Sequence, residues 1–302
     1  MTRFLRGLRE RNSGAPAPLS VGPEGTSLEH AHLDGKRSIE LDYPFTPQVR
    51  WGGTRPSHPQ LTKILERGRD IYRAQLDLIL EQRDFFLEIP VHESSPAEPC
   101  WVNGWLPGLD SAALYSFIAA TNPAIYMEVG SGNSTRFARR AIADHATGTR
   151  IVSIDPEPRA SVDALCDEVI RGQAETVKLE TFDRLSAGDI LFIDNSHRCL
   201  QNSDATVMFL DVLPRLAPGV LVEFHDITLP DDYPKEWLDR AYSEQYLLAA
   251  YLLAEGSRFE VVLPNHFVSH DNELSARLKG MWADRHFKGV ERHGGSFWIR
   301  TL

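Results

Sequence analysis

The feature of this sequence that most constrains its fold is a regular alternation of apolar and amphipathic segments between residues 124 and 224. Apolar runs predict strands at residues 124–129, 151–154, 176–179, 189–193 and 220–224. Apolar residues at helical spacing predict intervening helices around residues 137–142, 162–170 and 207–213. The run at 220–224 is almost continuously apolar, which is typical of strands covered on both faces. This alternation predicts an α/β fold built on a parallel sheet.

The flanking segments give further expectations. Residues 1–58 lack sustained periodicity and are predicted to form an irregular arm. Helices are predicted at residues 59–86, at 110–120 with Asp110 as N-cap, and at 237–254. Two last strands are expected at residues 259–263 and 297–302. The predicted organisation is an N-terminal arm and accessory helix at 1–107 followed by one α/β domain at 108–302.

Composition excludes several classes of function. Lys and Arg total 32 against 42 Asp and Glu, a net charge of −10, which disfavours nucleic acid and anionic membranes as partners. The longest strongly apolar stretch, residues 247–254, is too short to span a bilayer. The basic N-terminus lacks an apolar signal core, and the three cysteines show no CxxC spacing. We therefore expect a cytoplasmic protein without disulfides or a zinc site.

A glycine-rich turn follows the first predicted strand, in Glu128-Val-Gly-Ser-Gly-Asn-Ser-Thr135. Closely spaced glycines permit a tight turn and close ligand approach, and the next helix presents free N–H groups. A dinucleotide fingerprint needs a third glycine where Thr135 stands, and no Gly-Lys-Ser/Thr follows for a phosphate-binding loop. A plain strand-to-helix turn remains the alternative.

Two acidic residues narrow the choice of ligand. Glu128 precedes the first glycine by two residues, where it would repel a pyrophosphate and attract an amino group or sulfonium. Asp155 ends the second strand, where an acid accepts hydrogen bonds from ribose hydroxyls. Together they favour a ribose-containing ligand with a cationic end, the alternative being a solvated aspartate at a strand end.

At these positions the sequence resembles the class I S-adenosylmethionine-dependent methyltransferases. The resemblance is carried by residues 128–135, 151–155, 190–197 and 218–227. The last two segments are similar to a bacterial subgroup of small-molecule methyltransferases, in which strand four ends in Asp-x-x-His and strand five in His-Asp. The resemblance covers roughly residues 108–302, and it departs from the common pattern at Asn133, where many members have glycine.

The resemblance implies a Rossmann-like sheet of seven strands, the last two forming an antiparallel pair, with S-adenosyl-L-methionine as cofactor. Glu128, Gly130 and Gly132 would line its methionine end, and Asp155 would hold its ribose. The full predicted cofactor-binding set is Glu128, Gly130, Ser131, Gly132, Ser134, Thr135, Asp155 and Asp194.

Strands four and five are expected to be neighbours, so Asp194 and Asp226 should point into one cleft. Two carboxylates this close share a proton or hold a cation, and oxygen ligands suit Mg²⁺ or another divalent cation. Such a metal would lower the pKa of a substrate hydroxyl. The alternative is that Asp194 orients the cofactor and Asp226 only ends its strand.

His197 and His225 are the candidate general bases. Because adjacent strand residues face opposite ways, only one of His225 and Asp226 should face the cleft if the strand continues, and we favour Asp226. His197, paired with Asp194, is the predicted catalytic residue, with a structural histidine as alternative. The Pro- and aromatic-rich segment after strand five predicts a lid. The predicted substrate-contacting residues are His225, Tyr233, Trp237 and Glu244.

These patterns predict methyl transfer from S-adenosylmethionine to a small-molecule acceptor, at a hydroxyl and with metal assistance. A homo-oligomer and a monomer both stay open as the assembly state. The alternatives are a non-catalytic or hydroxylase-like protein on a methyltransferase fold, and an NAD-dependent oxidoreductase. Thr135 and Glu128 disfavour the oxidoreductase.

Overall fold

The computed structural model describes residues 42–145, 147–158 and 161–302. Residues 47–302 form one compact unit, the second of the two into which the chain divides. Most of the predicted irregular arm lies outside the described residues. Both sides of the boundary predicted at residue 107 belong to the second unit, and that boundary stays a prediction.

A single seven-stranded sheet organises the second unit. Its strands are β1 (Ile125–Val129), β2 (Arg150–Ile154), β3 (Glu168–Ile170), β4 (Ile190–Ile193), β5 (Leu221–Phe224), β6 (Phe259–Pro264) and β7 (Phe297–Thr301). Their order is β3-β2-β1-β4-β5-β7-β6, and β1 to β5 run parallel. Strand β7 is antiparallel to both β5 and β6. The predicted Rossmann-like α/β fold with an antiparallel final pair is confirmed.

The α-helices flank this sheet. They are α1 (Pro59–Glu66), α2 (Arg69–Glu81), α3 (Arg83–Phe86), α4 (Gly108–Thr121), α5 (Asn133–His145), α6 (Asp204–Val207), α7 (Glu244–Leu253), α8 (Asn265–His270), α9 (Asn272–Arg277) and α10 (Lys279–Trp282). The helix predicted at 59–86 exists as three pieces, because Gly68 and Gln82 leave helical backbone angles. A helix ends readily at glycine, because fixing glycine in helical backbone angles costs more conformational entropy than fixing any other residue.

The segment between β2 and β4 differs from the prediction. The helix predicted at 162–170 is wrong, since this segment contains a 3-10 turn (Asp163–Leu165) and strand β3. The strand predicted at 176–179 is also wrong, because 3-10 turns occupy this region. Val169 and Ile170 pair with Ser153 and Ile154 instead. An edge strand of three residues is too short for its alternation to be distinguished from helical spacing.

Two other predicted helices are shorter or irregular. After α6 the chain continues as a π-helical segment (Met208–Val212) and a 3-10 turn (Leu213–Arg215). The helix predicted at 237–254 is a 3-10 segment (Lys235–Arg240) followed by α7. Ala241 separates them with a left-handed φ of 54°, which an α-helix cannot contain.

Asp110 is not an N-cap, which corrects the prediction. It lies in the first turn of α4 and is fully buried. Its carboxylate accepts hydrogen bonds from the backbone N–H groups of Gly295 (2.7 Å) and Ser296 (2.9 Å) and from the Asn265 amide (2.7 Å). Asp110 therefore joins α4 to the segment before β7, close to the carboxyl end of β5.

The core lies on both faces of the sheet. Every residue of β4 and β5 is buried, and α5 buries Phe137, Ala138 and Ile142 as predicted. Each fully buried large apolar side chain contributes roughly 1.5–3 kcal/mol. The three cysteines are free thiols, as expected. Within the described ranges, no helix has the length and apolarity needed to cross a bilayer.

Candidate functional site

The glycine loop after β1 is packed tightly against the end of β4. Gly130 has a φ of 81°, and a Cβ there would lie 2.0 Å from the backbone oxygen of Asp194. The N–H of Asp194 donates to Val129 O at 2.8 Å, and that of Gly130 donates to Ile154 O at 3.0 Å. Only glycine fits this position, both for its backbone angle and for the close approach.

Gly132 has a different environment. A Cβ there would meet no atom within 4 Å. Helix α5 begins at the next residue, and the first N–H groups of a helix have no partner inside it. Gly132 therefore borders open space beside a helix N-terminus, which is where a ligand would approach the loop.

Glu128 stabilises the glycine loop through hydrogen bonds on its buried side. Its side chain is fully buried and accepts hydrogen bonds from the hydroxyls of Tyr126 (3.0 Å), Ser134 (3.0 Å) and Thr135 (2.6 Å). Burial raises the pKa of Glu128 to about 7, although the three hydroxyls favour the ionised form. The hydroxyls of Ser134 and Thr135 thus turn towards Glu128. Direct contact of these three residues with a cofactor stays a prediction.

Asp155 holds the outer side of the same loop. One of its carboxylate oxygens accepts from the N–H (2.8 Å) and the hydroxyl (2.9 Å) of Ser131. The other oxygen accepts from Glu157 N at 2.8 Å. The structure brings Ser131 and Asp155 together at the carboxyl ends of β1 and β2. The second oxygen keeps a lone pair for a further donor.

A histidine and three carboxylates meet at the ends of β4 and β5. His197 Nε2 lies 3.2 Å from Asp194 Oδ1 and 3.5 Å from Asp226 Oδ2. On the other side of the ring, Nδ1 lies 3.0 Å from Glu244 Oε2. Glu244 also accepts a hydrogen bond from the Asn195 amide at 2.9 Å. The ring is therefore fixed on both sides.

The backbone explains how His197 reaches this position. Strand β4 ends at Ile193, and His197 has a left-handed φ of 58°. Its N–H donates to the Asn195 side-chain oxygen at 2.7 Å. Its carbonyl oxygen accepts from the N–H groups of Ser243 (2.8 Å) and Glu244 (3.1 Å). The loop after β4 is thereby fastened to the start of α7.

The surroundings of His197 determine its charge. Burial of the ring disfavours the charged form, but hydrogen bonds to Asp194 and Glu244 outweigh it and raise the pKa of His197 well above 6.5. The two carboxylate contacts therefore favour the protonated form of the ring.

His225 and Asp226 lie side by side beyond the end of β5, so the condition for the prediction that only one of them faces the cleft, a strand that continues through both, is not met. Strand β5 ends at Phe224, and Asp226 has a left-handed φ of 56°, so strand alternation does not extend to it. His225 Nδ1 lies 3.5 Å from Asp226 Oδ1 and 3.8 Å from Asp194 Oδ1. Its Nε2 lies 3.5 Å from Asp110 Oδ2. Burial lowers the pKa of His225, but these carboxylates raise it well above 6.5.

The metal site predicted at Asp194 and Asp226 has no support in the structure. Among the described residues, no group of three or more His, Cys, Asp or Glu side chains is arranged to hold a metal ion. The imidazole rings of His197 and His225 lie beside both carboxylates instead. We therefore assign no divalent cation to this cleft.

The predicted lid forms an aromatic cluster beside His197. Tyr233 is buried, and its ring lies 6.1 Å from that of Trp237 and 5.8 Å from that of Tyr242. The ring centroid of Tyr242 lies 4.6 Å from that of His197. Glu244, predicted to contact substrate, is fully buried against His197.

Sequence reasoning missed Asp110, Asn195 and Tyr242. Asp110 and Tyr242 reach the site through long-range packing that no spacing encodes. The position of Asn195, directly after the strand-end aspartate, was the one available signal.

Residues 127–227 match the family model described as a methyltransferase domain. The match covers about a third of the chain. It includes the glycine loop, Asp155, His197 and Asp226, and it ends before Glu244. No curated protein matches the chain significantly.

Solved structures with distant similarity include two methyltransferases. An O-methyltransferase from Bacillus cereus, in complex with SAH (S-adenosylhomocysteine), is 15% identical with a TM-score of 0.38, covering 76% of this chain and 91% of that chain. An SAH-bound methyltransferase from Podospora anserina is 15% identical with a TM-score of 0.39, covering 83% of this chain and 100% of that chain. At this distance neither structure identifies a cofactor or substrate for this chain.

Proposed function

We propose that this protein transfers a methyl group from S-adenosylmethionine to a hydroxyl of a small molecule. One observation carries the proposal: the glycine loop and the Glu244-held imidazole of His197 occupy the same edge of the sheet. The loop and the histidine both lie within the segment that matches the methyltransferase-domain model. The net charge of −10 supports a small-molecule rather than a nucleic-acid acceptor.

The residues around the glycine loop fit this cofactor. Asp155 has an acceptor position left for a ribose hydroxyl, and Gly132 borders open space beside the N-terminus of α5. Asp194 is 45% exposed in its side chain and offers a carboxylate to a cationic group. When bound, S-adenosylmethionine would supply an electrophilic methyl group.

The residues across the cleft suit the acceptor. Methylation of a hydroxyl oxygen releases the hydroxyl proton, so the site needs a proton acceptor. We assign this role to the pair of Asp194 and His197: the imidazole at 3.2 Å orients the Asp194 carboxylate, and that carboxylate takes the hydroxyl proton as the oxygen bonds to the methyl group and the methyl–sulfur bond breaks. Glu244 orients the ring so that Nε2 faces the cleft.

Titration calorimetry with S-adenosylmethionine tests the cofactor assignment. The wild type should bind, Asp155→Ala should bind at least tenfold more weakly, and Asp183→Ala should match the wild type because Asp183 pairs with Arg215 away from the loop. Absence of binding by the wild type would refute the proposal. Transfer of labelled methyl to a panel of hydroxylated small molecules, lost in His197→Gln, tests the reaction itself.

A further inference from the structure

Two arginines lie against one aromatic ring at the lid. The guanidinium carbon of Arg198 is 5.3 Å from the ring centroid of Tyr242, and that of Arg240 is 5.6 Å from it. Arg240 also lies 4.6 Å from the ring of Trp237. Tyr242 itself contacts His197. The two guanidinium groups and the proposed catalytic histidine therefore contact the same ring, that of Tyr242.

Among the described residues, neither guanidinium has an acidic partner. Arg198 donates to the backbone oxygens of Arg240 and Ser196, both at 3.0 Å. Within the described part of the chain, no carboxylate oxygen lies within 4.0 Å of either arginine. Two like charges fixed on one ring repel each other, and a shared anion would relieve that repulsion.

The surroundings also favour an anion here. The chain carries a net charge of −10, so two adjacent arginines without an acidic partner in residues 42–145, 147–158 and 161–302 form a distinct positive patch on an acidic protein. Stacking on aromatic rings restricts the guanidinium planes, which pre-organises their N–H groups for a carboxylate or phosphate.

We propose that Arg198 and Arg240, supported by Tyr242 and Trp237, bind the anionic group of the acceptor. The acceptor is then a hydroxylated small molecule that carries a carboxylate or a phosphate. The carboxylates of Asp194 and Asp226 repel this anionic end from the cleft, so the molecule binds with its charge at the arginines and its hydroxyl towards His197. This inference rests on the proposed methyl transfer for the identity of the acceptor, but the anion site itself does not.

Binding of small aromatic anions tests the site without any methyl transfer. Benzoate and phenyl phosphate are titrated against the neutral analogue benzamide, with tryptophan fluorescence as readout and Trp237→Phe to identify the responding indole. The wild type should bind at least one anion tenfold or more tightly than benzamide. Arg198→Gln and Arg240→Gln should each weaken anion binding about tenfold. Arg258→Gln is the matched control, because Arg258 also bonds only a backbone oxygen.

The outcomes separate the alternatives. A preference for benzoate assigns a carboxylate-bearing acceptor, and a preference for phenyl phosphate assigns a phosphate-bearing one. Equal binding of benzamide, no binding of either anion, or wild-type binding by both glutamine variants overturns the site. If a glutamine variant does not fold, Arg240→Lys replaces it, because lysine keeps the positive charge but lacks the planar guanidinium. A folded Arg240→Lys protein with intermediate affinity for the anion supports the site. Unchanged affinity refutes bidentate binding of the anion by Arg240.

Calorimetry with S-adenosylmethionine on the same samples distinguishes this inference from the proposed function. Anion binding without cofactor binding keeps the site and refutes methyl transfer. Cofactor binding without anion binding refutes the site alone.

Discussion

His197 Nδ1 lies 3.0 Å from Glu244 Oε2, in a contact where His197 is 4% exposed and Glu244 is not exposed at all. The contact joins the loop after β4 to the first turn of α7. It determines which nitrogen of the ring faces the cleft, and it places a buried carboxyl group behind the ring. Together with the contact to Asp194, this carboxyl group raises the pKa of His197 above its ordinary value.

Replacing Glu244 tests this relationship directly. Glu244→Gln removes the buried anion, so the pKa of His197 should fall towards its ordinary value, and methyl transfer should slow on the order of 10²-fold. NMR titration of the imidazole resonances measures the first effect and the labelled-methyl assay the second. Glu260→Gln, which removes a surface partner of Arg300, is the control. An unshifted His197 titration in Glu244→Gln contradicts this account.

The two loop glycines should respond differently to alanine. Gly130→Ala places a Cβ 2.0 Å from the Asp194 oxygen at a φ of 81°, so we expect a loss of stability of about 1–3 kcal/mol. Gly132→Ala meets nothing within 4 Å, so it should fold like the wild type while binding S-adenosylmethionine more weakly. Urea unfolding and calorimetry measure the two effects. Equal free energies of unfolding for the two variants would show that the close contact at Gly130 does not determine which residues the position tolerates.

Glu128 should make stability depend on pH in an unusual direction. Its pKa is about 7 in the folded protein against an ordinary 4.5. Between these pH values the unfolded chain ionises while the folded protein stays protonated, so the free energy of unfolding falls as pH rises, by about 3 kcal/mol in total. Urea unfolding of the wild type and Glu128→Gln at pH 4.5 and pH 8 measures the difference. If the difference in the free energy of unfolding between the two proteins is the same at both pH values, Glu128 is not the cause of the pH dependence.

Asp110 should show the opposite pH dependence. Burial opposes its charge, but bonds to His225, Gly295 and Asn265 lower its pKa, so its contribution is present above the ordinary pKa and is lost as pH falls. Asp110→Asn leaves buried donors without an ionised acceptor and should cost about 1–3 kcal/mol at pH 7. Asp84→Asn, on an almost fully exposed side chain, is the control in chemical denaturation. A cost no larger than that of the control would exclude the proposed tie between α4 and β7.

The sequence predicted the central strands and the residues that end them, because buried strands are apolar and their carboxyl ends lie along one edge. Asp155, Asp194 and Asp226 were placed at that edge as the residues that end their strands, and His197 was placed on the loop that leaves the fourth predicted strand; the resemblance to the methyltransferases supported these positions. Strand β3 could not be recognised, because its three residues sit at the sheet edge with partial burial. The length of a segment, rather than its composition, limited the prediction there.

The contacts that determine the pKa of His197 could not be predicted from the sequence. Glu244 lies 47 residues from His197 along the chain, and only the fold brings the two together. The alternation rule does not apply at Asp226, because the strand ends two residues earlier and the backbone turns through a left-handed angle. Strand periodicity gives no information beyond the last paired residue.

The absence of space between Gly130 and the Asp194 oxygen means that the two peptide segments cannot shift independently. Whatever displaces the glycine loop must also displace the neighbouring backbone of Asp194 at the same edge of the sheet, since a packed interior has no free volume to absorb the movement. We therefore expect a compulsory order of substrate addition, in which occupation of the loop sets the position of Asp194 before the acceptor enters.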